Sequence, residues 1–567
     1  MVLQALPLAP TDLNVLCLVV GGFIVAYGLV SLLVREKFYV AESTVAVLFG
    51  IAVGGSGLGL LHTNEWDEHG RDHFMLEACR VLIAIQVMIA GIELPGRYLR
   101  TQLTSVMLLL TALMLVKWLT TALLMWAILG LDYLDALIIA ACVAPTDPVL
   151  ANSIVKGKYA ERHVPTNIRD LLSAESGAND GLGYPFLYIA LYLKTNATVG
   201  GALADWAVNI LVYQVVFSIG LGALIGWGAK CALTFCSRRD WIDKPSFLAY
   251  GVSLSVFILG LLGYLGTDDL LAAFIAGNSL TWDDWYRLEH ESEHIQSTVD
   301  TLMTVSFFIY FGATFPFHEI ALLFPWWKVL LLSIAVLVLR RMPWLLALYR
   351  WIPAIHTPSE ALFAGWFGPM GVSALFYAYL VKLDATVPDN IRTAVVPIVS
   401  LLVLASVLCH GTSVAFFKMG KSTAPVLLEF SRTLTSTVAA RARRSMSKDR
   451  STSPEARQDR RPWSRGRSTT ARGAGLDLAT PEPTFASGRA LPASLAAVEK
   501  TAETVEMGEG EANVLESLIA APVEPRFLPN ADSDLVAVIA EQDGHSRVSV
   551  GTPGARVSAS SQLSGGR

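Results

Sequence analysis

The chain has 567 residues, of which 53% are hydrophobic and only 16% charged, with a formal net charge of −5. That balance lies outside the range of soluble globular proteins and makes a lipid bilayer the expected solvent. The net charge conceals a basic stretch over 418–472 and a mildly acidic one beyond Gly473, so charge gives no ground for a nucleic-acid partner, and the six cysteines form neither a disulfide framework nor a zinc spacing.

Apolar stretches near 20 residues run over 12–33, 43–61, 74–94, 104–129, 133–155, 167–193, 205–236, 246–266, 268–280, 298–315, 325–349, 358–381 and 391–417. They predict about thirteen transmembrane helices, numbered here as segments 1 to 13. No basic residue precedes segment 1, which argues against a cleaved signal peptide. Segment 9 is short and opens on Asp268 and Asp269, leaving open a merger with segment 8 or a re-entrant passage. The expected organisation is an all-α polytopic membrane domain over 1–417, a basic juxtamembrane segment over 418–444 and a disordered tail over 445–567, whose arginines lie among serines and threonines with almost no aromatic residues.

Loop charges assign sides. Loops after odd-numbered segments carry Arg35, Lys37, Arg97, Arg100, Lys156, Lys158, Arg162, Arg238, Arg239 and Lys244, whereas the opposite loops hold little beyond Arg71, Lys194 and Lys382. Cation-rich loops stay in the cytoplasm, so the N-terminus is expected outside and the tail inside.

Ionisable residues within a bilayer cost on the order of 3 kcal/mol when unpaired, so those in mid-segment are functional candidates. In segment 5, Ala144-Pro145-Thr146-Asp147-Pro148 sets one carboxylate between two helix-breaking prolines, which would free backbone carbonyls at the same depth. Its bland alternative is a kinked helix whose Asp bonds nearby amides. In segment 6, Ser173-Ala174-Glu175-Ser176-Gly177-Ala178-Asn179-Asp180-Gly181 carries the densest polar run of any segment. At about 100° per residue Ser176 and Asp180 share a face while Glu175 points away, so the two acids should have different tasks. Asp180 would face a water-filled site. Glu175 would need a buried cation, for which Arg340 or Arg341 in segment 11 is suited by type.

Segment 12 contains Gly365-Trp366-Phe367-Gly368-Pro369-Met370-Gly371, a second mid-membrane breaker seven segments after the first. An odd offset reverses membrane orientation, so segments 5 and 12 would be corresponding broken helices of two inverted repeats, crossing near Asp147 and Asp180. Asp268 and Asp269 read as an interfacial turn or N-cap, Glu77 and Arg80 as an i,i+3 pair, and His410 as a hydrogen-bonded core residue.

At these motifs the chain resembles the monovalent cation:proton antiporters of the sodium/proton exchanger superfamily, most closely the fungal plasma-membrane branch. The residues carrying the resemblance are 144–149, 175–181 and 367–371, supported by 86–95 and 268–274, and it covers essentially the whole membrane domain. The resemblance implies a homodimer with a dimerisation scaffold and a moving core, exchange of cytoplasmic Na+ (also Li+ or K+) for external H+, and a role in salt tolerance and pH homeostasis, with no cofactor. It implies that Asp180 binds the transported ion, that Asn179, Thr146 and Asp147 support it, and that Glu175 pairs with a segment 11 arginine, which either Arg341, the preferred match, or Arg340 could be. It also sets a transport role for Asp268 and Asp269 beside the cap reading, leaving both open. Sodium coordination would use the Asp180 carboxylate, freed carbonyls and the Thr146 or Ser176 hydroxyl. Membrane lipids are the other expected partners, through the basic stretch after segment 13. An intramembrane aspartyl protease would need a Gly-x-Gly-Asp order that neither Asp180 nor Asp268 has, and no repeat resembling a channel filter is present.

Overall fold

The structure, a computed structural model, describes residues 12–61, 68–148, 164–291, 295–413, 536–542 and 545–551. Over 12–413 every regular element is helical, and each of the thirteen expected segments has a helical counterpart. Segments 1, 3, 4, 7, 8, 11 and 13 are long and apolar enough to cross a bilayer by themselves, at 22 to 39 residues. Segment 10, Ile295–Ala313, continues after a 51° bend into Phe317–Leu323.

The remaining segments, and segment 11 within its span, carry breaks or short helices that follow from their sequences. Segment 2 is a 12-residue helix, Glu42–Val53. Segment 5 is helical over Tyr133–Cys142 and then breaks at Val143 to Asp147, where Pro145 and Pro148 remove backbone donors; its remainder, 149–155, lies outside the described residues. Segment 6 is two helices, Thr166–Asn179 and Gly183–Thr195. Segment 11 is interrupted at Arg340 and Arg341, just before Pro343, between Trp326–Leu339 and Met342–Leu348. Segment 12 is split into Pro358–Trp366 and Val372–Leu383 around the expected Gly-Pro breaker.

Segment 9 proves to be a separate helix, Asp269–Leu280, and does not merge with segment 8. Gly266 ends segment 8 with φ 70°, a left-handed conformation that glycine adopts without strain, and Asp268 starts segment 9 by accepting from the Leu271 amide. At about 1.5 Å per residue this 12-residue helix is about 18 Å long, well short of a hydrocarbon core of about 30 Å. All but one of the residues Asp269 to Leu280 are buried, so protein rather than lipid surrounds it. Small residues permit that enclosure: a Cβ on Gly91 would lie 2.9 Å from the Asn278 amide, and one on Gly226 would lie 2.7 Å from the Ala276 Cα.

The basic segment 418–444 lies outside the described residues. In the tail, described separately as the unit 454–567, Val536–Gln542 and His545–Gly551 pair antiparallel with Val536 opposite Gly551. The expectation of a disordered tail otherwise falls outside the described residues.

Candidate ion site at the crossing of two broken helices

The two breakers meet. The Asp147 amide donates to the Pro369 carbonyl at 3.0 Å, and the Val372 amide donates to Asp147 Oδ2 at 2.7 Å. Asp147 thus supplies an anion to the first amides of the second half of segment 12, where a helix carries partial positive charge. Gly371 makes this approach possible, because a Cβ there would overlap the Asp147 carboxylate. The bland sequence reading of Asp147, bonding to amides, holds, but across two segments instead of within one.

The opposite helix ends are served by Arg340. Its guanidinium donates to the carbonyl of Val143, just past the first half of segment 5, and at 2.8 Å to the carbonyl of Gly368, just past the first half of segment 12. A cation therefore sits at the two negative helix ends, completing the partner for the anion at the positive one.

Arg341 has a different task. It holds Glu175 in a bidentate pair, with Nη2 at 2.7 Å from Oε2 and Nη1 on Oε1, and Nε donates to the Ala364 carbonyl at 3.0 Å. Lys117 of segment 4 also turns to this carboxylate. Its side chain is 0% exposed, and Nζ lies 3.6 Å from Glu175 Oε1, beyond hydrogen-bond reach. The sequence reading missed Lys117. Its signal was a single cation within the apolar run Met114–Leu129, and a segment tally that tolerates one charge passes over it.

Asp180 closes the first half of segment 6, one turn beyond Ser176. It is 0% exposed, and neither carboxylate oxygen accepts a hydrogen bond from any described residue. Its backbone carbonyl accepts from the Tyr377 hydroxyl at 2.6 Å, tying the break in segment 6 to the second half of segment 12. The Ser373 hydroxyl, also without a hydrogen bond among the described residues, approaches the same carboxylate; the sequence reading missed it two residues beyond Gly371. Asn179 supports the site by clamping Thr146: its Oδ1 accepts from the Thr146 amide at 3.0 Å and its Nδ2 donates to the Thr146 hydroxyl at 2.8 Å. Ser176 spends its hydroxyl hydrogen on the Leu172 carbonyl of its own helix, at 2.8 Å, and keeps oxygen lone pairs.

Asp268 and Asp269 separate in role. Asp268 caps segment 9 through one oxygen, and its buried Oδ2 has no hydrogen bond among the described residues. Asp269 pairs with Arg80 of segment 3 at 2.6 and 2.8 Å, while Glu77, the expected partner of Arg80, stands farther off at 3.6 Å. A buried anion wins the cation over an exposed one because it has no water to fall back on. His410 is the satisfied core residue expected, bonded to Ser406 and to the Trp366 carbonyl.

Comparisons with known proteins bear on the family and the fold. A family described as "Sodium/hydrogen exchanger, transmembrane" matches residues 23–419. A probable Na+/H+ antiporter of Schizosaccharomyces pombe is 38% identical over 437 residues, which make up 73% of this chain and 57% of that one. A Na+/H+ antiporter of Saccharomyces cerevisiae is 36% identical over 426 residues, 71% of this chain and 43% of that one. The chain thus spans about half the length of these curated relatives. The solved structure of the sodium proton antiporter MjNhaP1 from Methanocaldococcus jannaschii superposes with a TM-score of 0.55 at 19% identity, covering 72% of this chain and 98% of that one, and shows the fold. With the family match over 23–419, this chain is a member of the transmembrane sodium/hydrogen exchanger family.

Proposed function

We propose that the chain is a secondary antiporter that exchanges cytoplasmic Na+, and also Li+ or K+, for external H+ by alternating access, with Asp180 as the carboxylate that holds either ion. The observation that carries this reading is Asp180 itself, fully buried, with neither oxygen hydrogen-bonded among the described residues. A bare anion without a donor in a dry site is costly. A proton or a sodium ion removes that cost equally, so the two compete for one group. If the core changes its facing only when Asp180 is neutral, an inward proton gradient drives the cation out with no covalent chemistry.

Around Asp180, Thr146 and Ser176 offer oxygen lone pairs, Asn179 holds Thr146 in register, and Asp147 keeps the crossing assembled. Glu175 with Arg341 braces the core, and Asp268 lends a second buried acid close to Tyr377. The working unit is a homodimer in the plasma membrane, with the N-terminus outside and the tail in the cytoplasm, serving salt tolerance and pH homeostasis. The antiporter names of the fungal relatives support this reading.

The test is the purified chain in proteoliposomes holding a pH-quenched dye and an acid-inside gradient. Addition of Na+, then Li+, then K+ outside should restore fluorescence for at least one of them. Fluorescence unmoved by any alkali cation, with the protein inserted and folded, rejects the reading.

A further inference from the structure

Beyond the crossing lies a cavity of about 960 Å³ on the face assigned to the outside, walled by Ser56, Asp72, Thr314, Tyr379, Lys382 and Arg392 among others. Asp180 is not part of its lining, so the cavity stops short of the ion site. One ion pair spans its wall between two segments of different standing. Lys382 Nζ lies 2.6 Å from Asp72 Oδ2, the lysine a quarter exposed and the aspartate almost wholly buried.

Lys382 ends the same 12-residue half-helix, Val372–Leu383, that begins on Asp147 and holds the Asp180 carbonyl through Tyr377. Arg392 of segment 13 donates to the Lys382 carbonyl at 2.9 Å and pairs with Asp389, which fastens that end of the half-helix to its own neighbour. Asp72, by contrast, lies in the first turns of the segment 3 helix, Glu68–Glu93, which packs along this half-helix but carries neither breaker. A rigid helix of about 18 Å thus joins the ion site at one end to a charge pair with segment 3 at the other.

We propose that Asp72 and Lys382 form the outer gate of the transport path: paired, they hold segment 12 against segment 3 and close the way from the cavity to Asp180; parted, they let water through. The inference rests on the exchange reading and on the orientation given above. The pair suits a gate because the cavity can hydrate both charges once they separate, so opening does not strand an ion in lipid.

Asp72→Asn and Lys382→Met remove the closing contact and shift the population toward the outward-open form. In oriented proteoliposomes each variant should raise the apparent affinity for external Na+ and lower that for cytoplasmic Na+, by about two- to fivefold, the factor an ion pair bordering water supplies. Combining Asp72→Lys with Lys382→Asp should return both affinities toward wild type. A merely structural role would lower protein yield without moving the two affinities in opposite senses. Should Asp72→Asn fail to accumulate, Lys382→Met alone decides, since its side chain borders water. Wild-type exchange with affinities unchanged or moving together in the variants, or a charge swap that restores neither, overturns the gate and leaves the exchange reading standing. Absence of exchange in the wild type overturns both.

Discussion

Glu175 and Asp180 lie five residues apart on one segment, both buried, and the protein treats them in opposite ways. Glu175 is taken up by a bidentate Arg341 and by Lys117 at 3.6 Å. Asp180 accepts nothing from the described residues. An acid whose lone pairs are already occupied cannot take a ligand without stranding its cations. An acid left bare is incomplete until a ligand arrives. Acidity and burial are shared, so the partners separate brace from site.

The largest effect should come from removing the bare acid. Asp180→Asn keeps the shape but can hold neither proton nor cation, and dye dequenching should fall to the protein-free background while thermal stability of the detergent-solubilised protein is unchanged or rises. Retained cation-dependent flux would erase the contrast between the two acids.

Breaking the brace should read out the other way, in stability. Glu175→Gln leaves Arg341 and Lys117 both uncompensated and should cost about 3–5 kcal/mol, seen as a lower melting temperature or lost expression. Arg341→Gln should cost less, because Lys117 remains to pair with Glu175, and the double variant should lose less than the sum. Equal and additive losses would remove Lys117 from the brace.

Asp147 adds a third acid to the comparison, one that accepts from the Val372 amide. Asp147→Asn should impair exchange strongly yet leave a measurable remnant, because an amide oxygen still accepts that bond. Lys117→Met should change stability by no more than about 1 kcal/mol, because it removes a charge that makes no hydrogen bond, but the same change in the Arg341→Gln background should be severe. Smallest of all should be truncation after Arg444. The broken helices and buried charges all precede it, so coupled flux should persist at matched reconstitution, and its complete loss would move the functional boundary into the tail.

Much of this was legible in the sequence because hydropathy counts segments and proline with glycine breaks them. Pro145, Pro148 and Pro369 marked the crossing before any coordinates, and the helical face separated Glu175 from Asp180. Arg341, the preferred partner of Glu175, is the one found, but the separate task of Arg340 was not legible, since adjacent positions on a helix differ by about 100° and the break that aims them, at Arg340–Arg341, is itself set by packing. Lys117 escaped notice because burial is a property of the fold and not of the run that contains it. Arg80 was given to Glu77 by local spacing, whereas its stronger partner, Asp269, is 189 residues away in sequence.

Segment 9 carries a consequence for biogenesis. A 12-residue helix capped by one carboxylate and opening on another is too short to be retained in a bilayer on its own hydropathy. Its stability comes from Arg80, which neutralises Asp269, and from the glycines of segments 3 and 7 that receive its backbone. Both neighbours are synthesised first. The ninth segment therefore enters a socket already made, and a charge lost from segment 3 at Arg80 would be felt during membrane insertion, before any ion is carried.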